Sequence, residues 1–138
     1  MTNNSFEKWY LAILCGNIKK QNESGTICAH IARKAGSIIE REINPNGQIA
    51  ITHYKLIKNY HNYCIVEFKL ETGRTHQIRV HSKYIGHPIV GDSLYGEPSD
   101  IIQRQALHCS RLKFIHPITN KEMKFESNLP KDMKLLLI

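Results

Sequence analysis

Residues Glu67–Gly96 read E-F-K-L-E-T-G-R-T-H-Q-I-R-V-H-S-K-Y-I-G-H-P-I-V-G-D-S-L-Y-G. The stretch opens within an apolar alternation. Cys64, Val66, Phe68 and Leu70 take turns with Ile65, Glu67, Lys69 and Glu71, the period-two pattern of a strand with one buried face. Thr72-Gly73 ends that pattern. Thr75 is placed to cap a helix on which Ile78, His81 (or Ser82) and Ile85 recur at helical spacing for burial, with Gly86 as its stop. On such a helix His76, Arg79 and Lys83 share one face. A cationic face at a helix start, beside a glycine turn, suits an anionic polymer or a carboxylate partner.

Upstream, Phe6–Gly16 (F-E-K-W-Y-L-A-I-L-C-G) reads as a buried strand, and the polar Asn17–Gly25 as a loop. Thr26–Arg33 fits a strand or a short helical turn, and His30 within it a partly exposed packing role. Ser37–Ile43 fits helix or strand. Asn44-Pro45-Asn46-Gly47 is a turn, because proline presets its own φ and Asn-Gly tolerates left-handed geometry. Ile49–Ile57 alternates with Ala50, Thr52, Tyr54 and Leu56 on one face, and Lys58–Asn62 turns the chain back into the next strand as an antiparallel hairpin. Downstream, Ser99–Gln105 reads as a polar insert or short helix. Arg104–His108 opens a strand running through Phe114, Met123–Glu126 returns as another, and Pro130 presets a closing helix over Lys131–Leu137.

With 138 residues, 41% hydrophobic and 22% charged, the chain is expected to form a single domain, 1–138. No apolar run is long enough to span a bilayer and the opening residues are not a signal peptide, so no membrane partner and a cytoplasmic location are expected. The net charge of +7 suits nucleic acid or another polyanion, or a lysine-rich surface kept soluble by its charge. Cys15, Cys28, Cys64 and Cys109 form no C-x-x-C pair and are expected to be buried, reduced thiols rather than zinc ligands or disulfides.

The ordered string G-R-T-H-Q-I-R-V-H followed by G-H-P-I-V-G-D-x-x-Y-G resembles the arginine motif of the large-subunit-type (RluA-type) RNA pseudouridine synthases. Lys8, Tyr10, Ala12 and Gly16, the A-x-T-x-Y run at Ala50–Tyr54, and the R-Q-x-L-H and L-P-x-D-M segments are similar to the same family, so the resemblance runs from about Phe6 to the C-terminus. It implies an α+β fold, a mixed, mostly antiparallel sheet flanked by helices, and the isomerisation of uridine to pseudouridine in structured RNA without metal or cofactor. Ribosomal RNA is the implied partner ahead of transfer RNA.

The resemblance puts Tyr10 on the tyrosine that stacks on the flipped-out base and can take its C5 proton, and Arg79 on the arginine that pairs with the nucleophilic aspartate. Ile78 is expected to pack against the base, and Arg74, His76, His81 and Lys83 to contact phosphates, although Arg74 equally suits a brace for the turn. Asp92 and Tyr95 are expected to brace the G-D-x-x-Y-G loop.

The family's aspartate lies in an H-R-L-D segment upstream of the tyrosine strand, and no such segment occurs among these residues. The chain alone is therefore expected to be inactive, with a separate N-terminal segment supplying the aspartate and an exposed apolar patch or sheet edge where that part would pack. The alternative is an inactive RNA-binding module that keeps the RNA-facing surface. A weaker one is a structural protein whose basic face is merely solvated.

Overall fold

The computed structural model describes residues 6–138. The reading of Met1–Ser5 as part of an opening without an export signal lies outside the described residues. In chain order the elements are β1 (Phe6–Cys15), β2 (Ser24–Cys28), β3 (Ile31–Arg33), β4 (Arg41–Ile43), β5 (Ile51–Asn59), β6 (Tyr63–Leu70), α1 (Gln77–Tyr84), β7 (Leu107–Ile115), β8 (Glu122–Glu126) and α2 (Lys131–Leu135). One six-stranded sheet runs β2-β5-β6-β1-β7-β8, and β3 and β4 form a separate two-stranded hairpin. All of these pairings are antiparallel, so the expected α+β, mostly antiparallel architecture is present.

The period-two pattern explains the central strands. Tyr10 faces Phe68, which faces Tyr54, and Ala12 faces Val66, which faces Leu56, so these side chains share one side of the sheet. Ala12, Leu14, Cys64, Val66 and Phe68 are wholly buried there, and Ile78 of α1 with Met133 and Leu136 at the C-terminal end joins the same cluster. Full burial of a side chain such as Phe68 is worth about 1.5–3 kcal/mol. A second cluster of Ile31, Ala50, Val80 and Tyr95 fastens the β3–β4 hairpin to α1.

Two segments left open in sequence resolve as strand: Thr26–Arg33 contributes to β2 and β3, and the end of Ser37–Ile43 forms β4. Ser99–Gln105 forms no helix; the Ser99 hydroxyl accepts the Ile101 and Ile102 amides, and Ile102 is 2% exposed. Cys64 is buried, but Cys28 and Cys109 are exposed, which corrects the expectation of four buried thiols. Cys28 alternates onto the side of β2 away from the core, whereas Cys109 of β7 lies opposite Tyr10 on the core side, at a place the described residues leave exposed. At the β1–β7–β8 end, Phe6, Phe114 and Phe125 stack at 5.4 and 6.0 Å between ring centroids. Phe6 and Phe125 are 41% and 52% exposed, so an apolar patch continuous with the sheet does face solvent.

Candidate active site

The loop into α1 is built differently from the expected cap. Thr75 makes no capping bond; the N-cap position is His76, held in the left-handed region at φ 57°. The side chain of the buried Gln77 instead ties the preceding loop to β5. Its Oε1 accepts from Thr72 Oγ1 at 2.7 Å and the Arg74 amide at 2.9 Å, while its Nε2 donates to the Ile51 carbonyl at 3.0 Å and Thr52 Oγ1 at 2.9 Å. Every donor and acceptor of this amide is thereby satisfied. Gly86, at φ +86°, ends the helix with its amide on the Lys83 carbonyl, and Ile85 is half-buried.

Arg79 projects from the first turn of α1 and meets Asp92 in a two-pronged ion pair, Nε to Oδ2 at 2.8 Å and Nη2 to Oδ1 at 2.9 Å. Asp92 is 0% exposed, and its Oδ1 also accepts the Leu94 and Tyr95 amides at 3.0 and 3.1 Å. Burial pushes the Asp92 carboxyl up, but the Arg79 guanidinium and the two amides outweigh it and hold it below the ordinary aspartate value. Tyr95 lies under the guanidinium, 5.0 Å from ring centroid to Arg79 Cζ. Its hydroxyl accepts the Arg41 amide at 2.8 Å and meets His76 Nδ1 at 2.8 Å. Burial, then the charges of Arg79 and Arg41, lower the His76 pKa and favour its neutral ring.

His81 corrects the expectation of a phosphate contact. It is wholly buried, with Nε2 donating to the Ala29 carbonyl at 2.9 Å and Nδ1 accepting from Thr52 Oγ1 at 2.8 Å. Apolar burial and helical phase, rather than charge, decide its direction. Ile78 is 4% exposed within the main core, which leaves almost no surface for a base. Arg74 donates Nε to the Ile49 carbonyl at 2.8 Å, and Lys83 points to solvent.

Tyr10 stands on β1 opposite Phe68 and Cys109, half-buried at the edge of the core to which Ile78 belongs. The β1–β7 register slips between Trp9 and Tyr10, a bulge on β7 that leaves Ser110 without a register partner beside the tyrosine. Burial, and then the nearby Cys109, raise the Tyr10 pKa, so its phenol keeps its proton near neutrality. Of the remaining aspartates, Asp132 is paired with Arg104 at 2.9 and 3.0 Å, and Asp100 is exposed in the loop before β7. No group of three or more metal-ligating side chains forms among the described residues. Gln77 is the residue missed in sequence; its place directly after His76 in T-G-R-T-H-Q was the available signal.

The family model for RNA pseudouridylate synthase matches residues 1–84, and the chain belongs to that family. It is 45% identical over 135 residues to an uncharacterized RNA pseudouridine synthase, YjbO, of Bacillus subtilis (strain 168), spanning 98% of this chain and 47% of that protein. It is 40% identical over 143 residues to the ribosomal large subunit pseudouridine synthase D of Zymomonas mobilis, spanning 96% of this chain and 44% of that one. The chain thus spans somewhat under half the length of these relatives. Among solved structures, human RNA pseudouridylate synthase domain containing 1 superposes with a TM-score of 0.77 at 30% identity, over 90% of this chain and 55% of that one.

Proposed function

We propose that this chain carries the tyrosine- and arginine-bearing part of an enzyme that converts uridine to pseudouridine in RNA, with ribosomal RNA as substrate and the cytoplasm as location. Family membership together with the oriented Arg79 guanidinium carries the reading. The reaction breaks the N1–C1′ glycosidic bond of a flipped-out uridine, forms a C5–C1′ bond, removes the C5 proton and returns a proton to N1. A carboxylate acting on the nucleotide must stay ionised in a partly dry pocket, and a neighbouring guanidinium favours that state. Arg79 has Nε and Nη2 committed to Asp92, and among the described residues nothing binds its Nη1, which is left for a second carboxylate. Tyr10, half-buried beside Ile78 at the edge of the core, offers its ring to stack on the extruded base.

Asp92 is locked, Asp132 is paired and Asp100 is exposed in the loop before β7; we assign the nucleophile to a carboxylate from another segment, the H-R-L-D part that the family resemblance implies. The same observation favours a second reading for these 138 residues taken alone, an RNA-binding module without turnover. Tritium release from unmodified ribosomal RNA labelled at uridine C5 separates the two. Release by the chain mixed with an H-R-L-D-bearing segment, and loss of it with Arg79→Ala, is the expected result. Silence in the mixture, with RNA still bound, would leave the binding module; release by the chain alone would overturn the assignment of the nucleophile.

A further inference from the structure

The β3–β4 hairpin carries an arrangement that costs stability and has no internal compensation. Its register sets Arg33 directly opposite Arg41, two like charges at a cross-strand pair, which is unfavourable. Arg74, from the loop before α1, reaches the same place, and the three arginines line one open pocket of about 390 Å³ together with Thr75, Asn46 and Gly47. Among the described residues none of the groups lining it is a carboxylate. The hairpin's own Glu40 and Glu42 line a second pocket with Lys83 and Tyr95, which Arg41 also borders, whereas Arg33 and Arg74 line only the first.

The guanidinium groups are anchored without being neutralised. Arg41 Nη1 donates to the Ile38 and Ile39 carbonyls at 3.2 and 3.0 Å, and Arg74 Nε to the Ile49 carbonyl. Arg33 makes no ion pair or side-chain hydrogen bond among the described residues and is exposed. Each anchored fork therefore keeps donors free, in the planar geometry that suits a phosphate oxygen pair. Gly47 closes the asparagine turn onto β3 so tightly that a Cβ there would collide with the Ile31 carbonyl, so this wall of the pocket is a built surface.

We propose that Arg33, Arg41 and Arg74 form a subsite for a backbone phosphate of the bound RNA strand, an inference that rests on the RNA reading above. The pocket is tied to the candidate catalytic arginine: the Arg41 amide donates to the Tyr95 hydroxyl, and the Tyr95 ring carries the Arg79 guanidinium. Arg74 and Thr75 continue directly through His76 into α1, so a strand held in the pocket is led toward Arg79. The anion also relieves the repulsion between Arg33 and Arg41.

The test follows amide resonances of the isotope-labelled chain titrated with hexauridylate and, separately, with inorganic phosphate, alongside the salt dependence of hexauridylate binding. RNA is expected to shift the Gly47 and Thr75 amides. Arg33→Gln should weaken binding several-fold and lower the slope of log K against log salt by about 0.7, the value for one phosphate on a single strand. Arg33→Lys should recover the slope but only part of the affinity. Lys121→Gln removes one charge at the β8 edge of the sheet, opposite the β2 edge, and should change neither. The spectra themselves report whether each variant is folded. Bound RNA that leaves these amides unmoved, or equal effects of the Arg33 and Lys121 variants, would sink the subsite and spare the RNA reading. Phosphate shifts without RNA binding would overturn both the backbone assignment and the RNA reading, and no shift with either probe would remove the pocket altogether.

Discussion

Asp92 shows at the scale of one residue how a buried charge is made tolerable. Its carboxylate collects two guanidinium donors and two backbone amides while wholly removed from solvent. Truncating one partner of such a pair strands the other charge in a poor environment. Asp92→Ala should therefore destabilise the fold by about 3–5 kcal/mol in urea denaturation, because Arg79 would remain buried and unpaired. Asp92→Asn, which still offers an oxygen to the Leu94 and Tyr95 amides, should cost less. A loss below about 1 kcal/mol for Asp92→Ala, the size of an exposed pair, would mean that Arg79 swings out to water. The carboxyl sits below its ordinary value when folded, so its stabilisation is full above the unfolded value and disappears only as pH falls through the lowered folded one. That Asp92 would brace its loop was legible in G-D-x-x-Y-G; that Arg79 is the cation it takes was not, because nothing local joins positions on a helix and a later loop.

At the scale of elements, the loop after α1 is shaped by a glycine that two constraints act on at once. Gly91 sits at φ +79°, and a Cβ there would run into the Arg104 carbonyl. Gly36, in the connection between β3 and β4, has a similar φ of +82° but nothing within 4 Å of a would-be Cβ. Gly36→Ala should cost only the left-handed strain, about 1–2 kcal/mol. Gly91→Ala adds the collision and should cost about 3 kcal/mol or more, read as the difference in urea midpoints. Equal costs would show that the Arg104 segment yields freely. The helix α1 tells the complementary story. At eight residues it is too short to stand alone, and its start is secured by the Gln77 side chain, which bonds Ile51 and Thr52 of β5 and Thr72 of the preceding loop, rather than by a local cap.

For the molecule as a whole, His81 joins helix, sheet and hairpin arm. It sits on α1, bonds Thr52 on β5, and reaches the Ala29 carbonyl between β2 and β3. Burial lowers its pKa below the ordinary 6.5, against the opposing pull of the Ala29 carbonyl. A group of this kind binds a proton more readily unfolded than folded, so its contribution is intact above about 6.5 and is lost as pH falls toward the lowered folded value. Thermal midpoints should accordingly drop between pH 7.5 and 5.5, and His81→Asn should flatten part of that drop while lowering the midpoint at pH 7.5. An unchanged slope would assign the pH dependence to other groups, His76 first among them.

The sequence by itself determined the central strands, the Asn44–Gly47 turn and the family. The alternation around Cys64–Leu70, the Asn44–Gly47 turn and the Gly86 stop are local, because backbone preference and side-chain periodicity act between near neighbours. The long ordered string from Gly73 to Gly96 carried the family for the same reason, as a pattern readable without contacts. Only the tertiary structure decided which of the basic residues remain available. His81 and Arg79 lie two positions apart, yet one is sealed between Thr52 and Ala29 and the other is aimed by Asp92. Arg33 and Arg41 face each other only because the β3–β4 register puts them there, and the β7 bulge beside Tyr10 exists only in the pairing of β7 with β1. Such choices depend on burial and on partners distant in sequence, which a chain acquires only when its sheet and helices close on one another.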